Sequence, residues 1–177
     1  MVETLLQATT RILRRDGLER LTTNRVAEVA GVSVGSLYQY FPNKESLLDA
    51  LRERYNAQFL ARLIRTFTKF SALPFRESLR GVIGFMIDIH REDPQLHNAL
   101  SPEIPEAQHQ IVLEMVRAGL EANSDEVRRP DLELATYFVV EIGESLVHNT
   151  ALRAPERLED PRFLDEICDL IERYLAK

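Results

Sequence analysis

Apolar residues recur along this chain at three- and four-residue intervals, and no segment sustains the one-in-two alternation of a half-buried strand. Leu5, Leu6, Thr9, Ile12 and Leu13 form a first stripe, followed by Arg14, Arg15 and then Gly17. Cations in the last turn and a glycine after it suit a helix C-terminus. A second helix is predicted to start at Thr22 or Thr23, whose hydroxyls can accept from unpaired first-turn amides, and to stop at Gly31. Ser33 is placed to cap a short third helix reaching Tyr40, and Asn43 to cap a fourth beginning at Lys44. That fourth helix has anchors at Leu47, Leu48, Leu51, Tyr55, Phe59, Leu60, Leu63 and Ile64, and nothing breaks it before about residue 70.

Beyond Pro74 the pattern predicts a helix with Leu79, Val82, Ile83, Met86 and Ile87 on one side. "REDPQ" ends it and opens a short one, "PQLHNAL"; "SPEIPE" breaks the chain again. A helix carrying Ile111, Val112, Met115, Val116 and Leu120 follows, then the polar loop "ANSDEVRRPD". Helices are predicted over 131–152 and 162–176, joined by a loop containing Pro155 and Pro161. The expected fold is all-α, with about nine helices.

Composition adds bounds. A chain of 177 residues that is 45% hydrophobic and 28% charged is of ordinary globular composition, with room for one or two small domains. Its apolar groups are short and broken by charges, and Glu3 and Gln7 interrupt the segment that a signal peptide would need unbroken, so a cytoplasmic protein is expected. The single cysteine, Cys168, sits at helical spacing from Leu164 and Ile171 and reads as a buried small hydrophobe. Net charge is −6, but residues 1–50 hold six basic and six acidic side chains, leaving the excess acidity in 51–177. A polyanion would be repelled by the second part and could approach the first.

The segment Thr23 to Phe41 reads as two helices joined at Gly31, with Val26, Ala30, Val32, Leu37 and Phe41 at the apolar contacts and Ala27 small at the crossing. Gly31 supplies the left-handed backbone of a tight turn. This is the layout of a DNA-binding helix–turn–helix, and equally that of an ordinary pair of short helices. The longer string "LTTNRVAEVAGVSVGSLYQYFPNKESLL" narrows the choice. Thr22, Val26-Ala27, Ala30-Gly31-Val32-Ser33, Gly35, Tyr38, Phe41, Lys44 and Leu47-Leu48 stand in the order of a known signature, and residues 2–55 strongly resemble the TetR family of bacterial transcriptional repressors.

That resemblance implies an N-terminal three-helix helix–turn–helix domain over 1–45 and a helical effector-binding and dimerisation domain over 46–177, bridged by the helix from 44. Thr22 would cap the second helix; Thr23, Asn24 and Arg25 would lie at the groove edge. Ser33, Val34, Gly35 and Ser36 would open the recognition helix, with Val34 suited to a thymine methyl and Gly35 admitting close backbone approach. Tyr38, Tyr40 and Lys44 are similar to the family's phosphate contacts. The implied partner is a palindromic double-stranded DNA operator, bound by a homodimer whose recognition helices are held roughly 34–36 Å apart. A small-molecule effector that prefers a different spacing would release it.

Helix 131–152 is apolar on more than one face, and the last helix has a wide stripe from Phe163 to Leu175. By the same resemblance these two helices are expected to form the dimer interface. Candidate effector contacts are Phe85, Met86, Ile89, His97, Ile111, Met115, Phe138 and Glu141, aromatic and sulfur-bearing side chains with a few polar groups. Glu141, Glu144 and His148 share one helix face and, with His90 or His97, suggest the alternative of a carboxylate-bridged metal protein or enzyme. Such sites use two Glu-x-x-His motifs, whereas this chain has one, Glu106 to His109, so a hydrogen-bonded polar strip is the preferred reading. No catalytic residue, cofactor or metal is assigned, and an activator or ligand-independent helix–turn–helix regulator remains a further alternative.

Overall fold

The computed structural model describes residues 1–100, 105–128 and 130–176. Among these residues the chain is all-α, with nine α-helices. They are α1 (Val2–Asp16), α2 (Thr23–Ala30), α3 (Val34–Tyr38), α4 (Lys44–Phe70), α5 (Phe75–Glu92), α6 (Pro94–Leu100), α7 (Glu106–Ala122), α8 (Leu132–Arg153) and α9 (Pro161–Leu175). No helix among the described residues is long and apolar enough to cross a membrane. The chain divides into two compact units, Met1–Phe59 with Asp93–Glu103 and Leu60–Glu92 with Ile104–Lys177, so α4 supplies residues to both.

In the first unit the α1 stripe is buried as its spacing demands, together with Ala8. Thr9 lies in this apolar stripe without penalty because its hydroxyl donates to the Leu5 carbonyl at 2.8 Å. α1 ends at Gly17, whose φ of 78° is open to glycine at little cost. Leu5, Ile12, Leu13, Leu21, Val26, Leu37, Leu47 and Leu100 are fully buried together, which fixes α2 and α3 against α1, α4 and α6. Ion pairs from Arg54 to Glu3 and from Arg14 to Asp93 lie at the edge of this core.

The second unit packs α5, α7, α8 and α9 around Ile83, Ile87, Leu120, Ala135, Val147, Ile167, Cys168 and Ile171. Gly143 lets α8 approach α5 closely: a Cβ there would lie 3.3 Å from Ile83 Cδ1. Burial raises the Cys168 thiol to about 11, so it is a packing residue and not a ready nucleophile. α9 starts where Asp160 accepts from the Arg162 amide at 3.0 Å, ahead of a well-placed proline at the first helical position.

Three local expectations change. The third helix ends at Tyr38, not Tyr40, since Pro42 follows and the intervening residues form a turn. Residues Pro155–Glu159, expected as loop, form a short 3-10 turn, and a second such turn at Leu18–Arg20 links α1 to α2. The chain break expected at "SPEIPE" falls mostly on 101–104, outside the described residues.

Candidate nucleic-acid interface and effector region

The interface begins with the turn between α2 and α3. Gly31 adopts φ 68° and ψ 32°, and its amide closes α2 onto Ala27 and Glu28 carbonyls. The Val32 amide then donates to the Ala27 carbonyl at 3.0 Å, so the chain reverses within two residues. Beneath the turn, Val26 and Leu37 are fully buried, and Phe41 is buried with them. Ala30 and Val32 pack against this core while remaining partly exposed.

Capping consumes part of the polar surface. Thr22 Oγ1 accepts from the Arg25 amide at 3.2 Å, and Ser33 Oγ from the Ser36 amide at 3.0 Å. The Ser33 and Ser36 hydroxyls also lie 2.8 Å apart. At the start of α4, Asn43 Oδ1 accepts from the Ser46 amide at 2.8 Å, which places Lys44 in the first helical turn. Thr22 and Ser33 therefore shape the backbone first, and any contact they make to a ligand must be shared with that task.

What remains outward is distinctive. Val34, Tyr38 and Tyr40 are 37%, 47% and 49% exposed, a set of apolar and aromatic side chains left in water beside buried neighbours. Asn24 and Gly35 are exposed as well, whereas Thr23, Arg25, Ser36 and Lys44 are half-buried. A Cβ added at Gly35 would meet only Ser33 Oγ, at 3.9 Å, so nothing in the chain itself requires glycine there. Arg25 carries an ion pair to Glu28 at 2.7 Å, a solvent-screened contact that a phosphate could replace at little cost.

Two features here were not singled out from sequence. Thr23 Oγ1 lies 3.1 Å from the Tyr38 hydroxyl, joining the first turn of α2 to the end of α3. Arg15 and Arg20 line, with Asp16, Glu19, Thr22 and Arg25, an open cleft of about 630 Å³ beside α2. The cations had been visible only as the end of one helix and part of a connecting segment.

The effector candidates distribute unevenly. Phe85, Met86 and Ile89 lie on α5, Ile111 and Met115 on α7, and Phe138 and Glu141 on α8, all in the second unit. His97 belongs to the first unit, where its Nδ1 lies 2.8 Å from the Tyr55 hydroxyl. Phe138 is 43% exposed, with its ring against Tyr174 of α9. Phe85 is partly covered by the Arg62 guanidinium, 5.5 Å from the ring centroid.

The polar strip on α8 finds an unforeseen partner. His109 of α7 lies between two carboxylates, its Nε2 3.8 Å from Glu141 and its Nδ1 3.6 Å from Glu144. Burial pushes Glu144 above the usual carboxylate range; a charged His109 opposes this and Glu141 adds to it. His148, which shares the helix face of Glu144, instead meets His90 of α5 edge to face, with ring centroids 5.7 Å apart.

Comparison with known proteins fits this geometry. The family described as bacterial regulatory proteins, tetR family, matches residues 5–51, and the tetracyclin repressor-like C-terminal domain matches residues 74–175. Together the two models span most of the chain, and the chain belongs to the TetR family of bacterial regulatory proteins. An HTH-type transcriptional regulator of Haemophilus influenzae is 35% identical over 80 residues, 45% of this chain and 42% of that protein. The nucleoid occlusion factor SlmA of the same organism is 32% identical over 85 residues, 48% of this chain and 38% of its own length. The chain thus matches less than half the length of these relatives.

Among solved structures, SmeT, the repressor of the Stenotrophomonas maltophilia multidrug efflux pump SmeDEF, superposes with a TM-score of 0.70. It is 23% identical, and the alignment covers 100% of this chain and 91% of SmeT. A Rhodococcus protein aligns with a TM-score of 0.77 at 19% identity, over 99% of this chain and 95% of its own. At these identities the likeness is one of fold.

Proposed function

We propose that this chain is a ligand-responsive transcriptional repressor that binds a palindromic DNA operator as a homodimer. The observation that carries this reading is the surface formed by Thr23–Arg25 and Val34–Ser36, with Asn24, Val34 and Gly35 exposed, over buried Val26 and Leu37. Apolar Val34 and unobstructed Gly35 at the start of α3 suit base-edge contact and close approach, and Tyr38, Tyr40 and Lys44 suit phosphates. The domains implied are a DNA-binding part over 1–45 and an effector and dimer part over 46–177. Neutral charge in the first and the acidity of the second direct the nucleic acid to the former.

The homodimer is supported by α8 and α9. Leu134, Tyr137, Phe138 and Leu152 stay exposed on α8, and Leu170 on α9, beside the Phe138–Tyr174 ring contact. A large apolar face left in water favours a second copy, and a two-fold operator needs one. The effector is read by Met86, Ile89, Ile111 and Met115 with Glu141, and α4, which contributes to both units, transmits its binding. SmeT has been seen with triclosan, an apolar small molecule of the kind such side chains favour.

The test is a mobility-shift titration of the purified protein against the DNA upstream of its own gene, at low salt. A shift, weakened by compounds that raise the melting temperature of the free protein, is expected. An unshifted fragment, or binding indifferent to every stabilising compound, contradicts the repressor or the effector part respectively.

A further inference from the structure

The second unit contains two imidazoles that neither the DNA surface nor the proposed dimer face uses. His90 sits on α5 and is buried; His148 sits on α8 and is half-buried. Their rings meet edge to face, 5.7 Å between centroids, and a ring nitrogen of each lies within 4.8 Å of the other.

The His90 tautomer follows from its hydrogen bond. Its Nδ1 lies 2.8 Å from the Met86 carbonyl, which can only accept, so Nδ1 carries the proton and Nε2 the lone pair. A backbone carbonyl holding one ring nitrogen while the other stays basic is the usual preparation of a metal-binding histidine. Burial lowers the His90 pKa below its ordinary value, against the pull of the Met86 carbonyl, and the neighbouring His148 lowers it further.

We propose that His90 and His148 form a binding site for a borderline divalent transition-metal ion such as Zn²⁺, with water completing its coordination. Imidazole nitrogen suits Zn²⁺, Ni²⁺ and Cu²⁺ and does not suit Mg²⁺ or Ca²⁺. Two bonds of about 2.0–2.1 Å at a tetrahedral angle require nitrogens roughly 3.3 Å apart. The nitrogens lie within 4.8 Å, so the less buried His148 ring must turn toward His90, which its bond to the Met86 carbonyl holds in place. The site differs from the carboxylate-bridged arrangement suggested by Glu141, Glu144 and His148, because those carboxylates are engaged with His109 instead. Binding ties α5 to α8, two helices of the proposed effector part, but it does not depend on any property of the DNA surface.

The experiment is calorimetric titration of the metal-stripped full chain with ZnCl₂, with MgCl₂ as the control, in the absence of DNA. One Zn²⁺ per chain is expected, with no response to Mg²⁺, and affinity reduced at least tenfold in His148→Ala. His109→Ala, an imidazole of the same unit outside the site, should leave affinity unchanged. Because His90 is buried and its replacement would disturb the packing of the unit, histidine ring NMR of the unsubstituted protein supplies the second readout. Zn²⁺ should shift the His90 and His148 resonances and spare His109. Absence of Zn²⁺ binding, an affinity unaltered by His148→Ala, or unshifted His90 and His148 resonances overturns the proposal. Since no DNA enters the titration, its failure and a failure of the repressor reading are separate results.

Discussion

The hydroxyls of Thr23 and Tyr38 lie 3.1 Å apart, joining the first turn of α2 to the last of α3. Both residues are among the expected nucleic-acid contacts, and the bond between them links the Tyr38 side chain to α2. As Tyr38 is 47% exposed, the bond contributes at most about 0.5–1.5 kcal/mol to folding. Tyr38→Phe is expected to leave the melting temperature nearly unchanged while weakening DNA binding several-fold. Thermal unfolding and fluorescence anisotropy on the same sample separate the two effects.

The two glycines of the helix–turn–helix should behave oppositely. Gly31 holds φ 68°, so Gly31→Ala forces a Cβ into the left-handed region and should destabilise by roughly 1–2 kcal/mol. Gly35 lies in α3, where an added Cβ would make only an ordinary contact with Ser33 Oγ, so Gly35→Ala should stabilise the free protein by about 0.5–1 kcal/mol. The same methyl would stand where the DNA backbone or a base edge approaches. Stability by denaturant unfolding should rise in Gly35→Ala as operator affinity falls.

Glu144 gives a pH dependence of definite sign. Its folded pKa is raised, chiefly by burial, so between the unfolded and folded values the native state holds the extra proton. The stability it contributes is therefore present below about 4.5 and declines as pH rises through the folded value. Glu144→Gln, which cannot ionise, should become steadily more stable relative to the unsubstituted protein as pH rises from 4.5. Melting curves from pH 4.5 to 8 provide the comparison; a gap that narrows with pH would contradict the assignment.

The exposed side of α8 predicts an oligomeric state. Leu134 and Phe138 are four residues apart on one helix face, exposed at 49% and 43%. Phe138→Glu would desolvate a charge in a homodimer and cost almost nothing in a monomer. Sedimentation velocity should show a dimer for the unsubstituted chain and a monomer for the variant, with unchanged helix content.

Much of this architecture was legible because helical periodicity and caps are local. The α1 stripe, the Thr22 and Ser33 caps, the Gly31 turn and the burial of Val26 and Leu37 follow from spacing alone. The second unit resisted where tertiary partners decide. α8 is apolar around much of its circumference, so spacing did not show which side is interior and which, with Leu134, Tyr137 and Phe138, is exposed. Glu141, Glu144 and His148 share one face of α8, yet the two carboxylates pair with His109 of α7 and the histidine meets His90 of α5. Which imidazole meets which acid depends on how helices pack, and no helix encodes that by itself.

The central claim, that α2 and α3 read a two-fold operator, is tested most directly by footprinting the DNA upstream of the gene at low salt. Two protected half-sites are expected, with centres about 10–10.5 base pairs apart or a multiple of that, as two-fold docking in the major groove requires. Val34→Glu, an exposed substitution at the start of α3, should abolish both while leaving the fold intact. Protection of a single asymmetric site, protection retained in Val34→Glu, or none at any protein concentration would contradict the account.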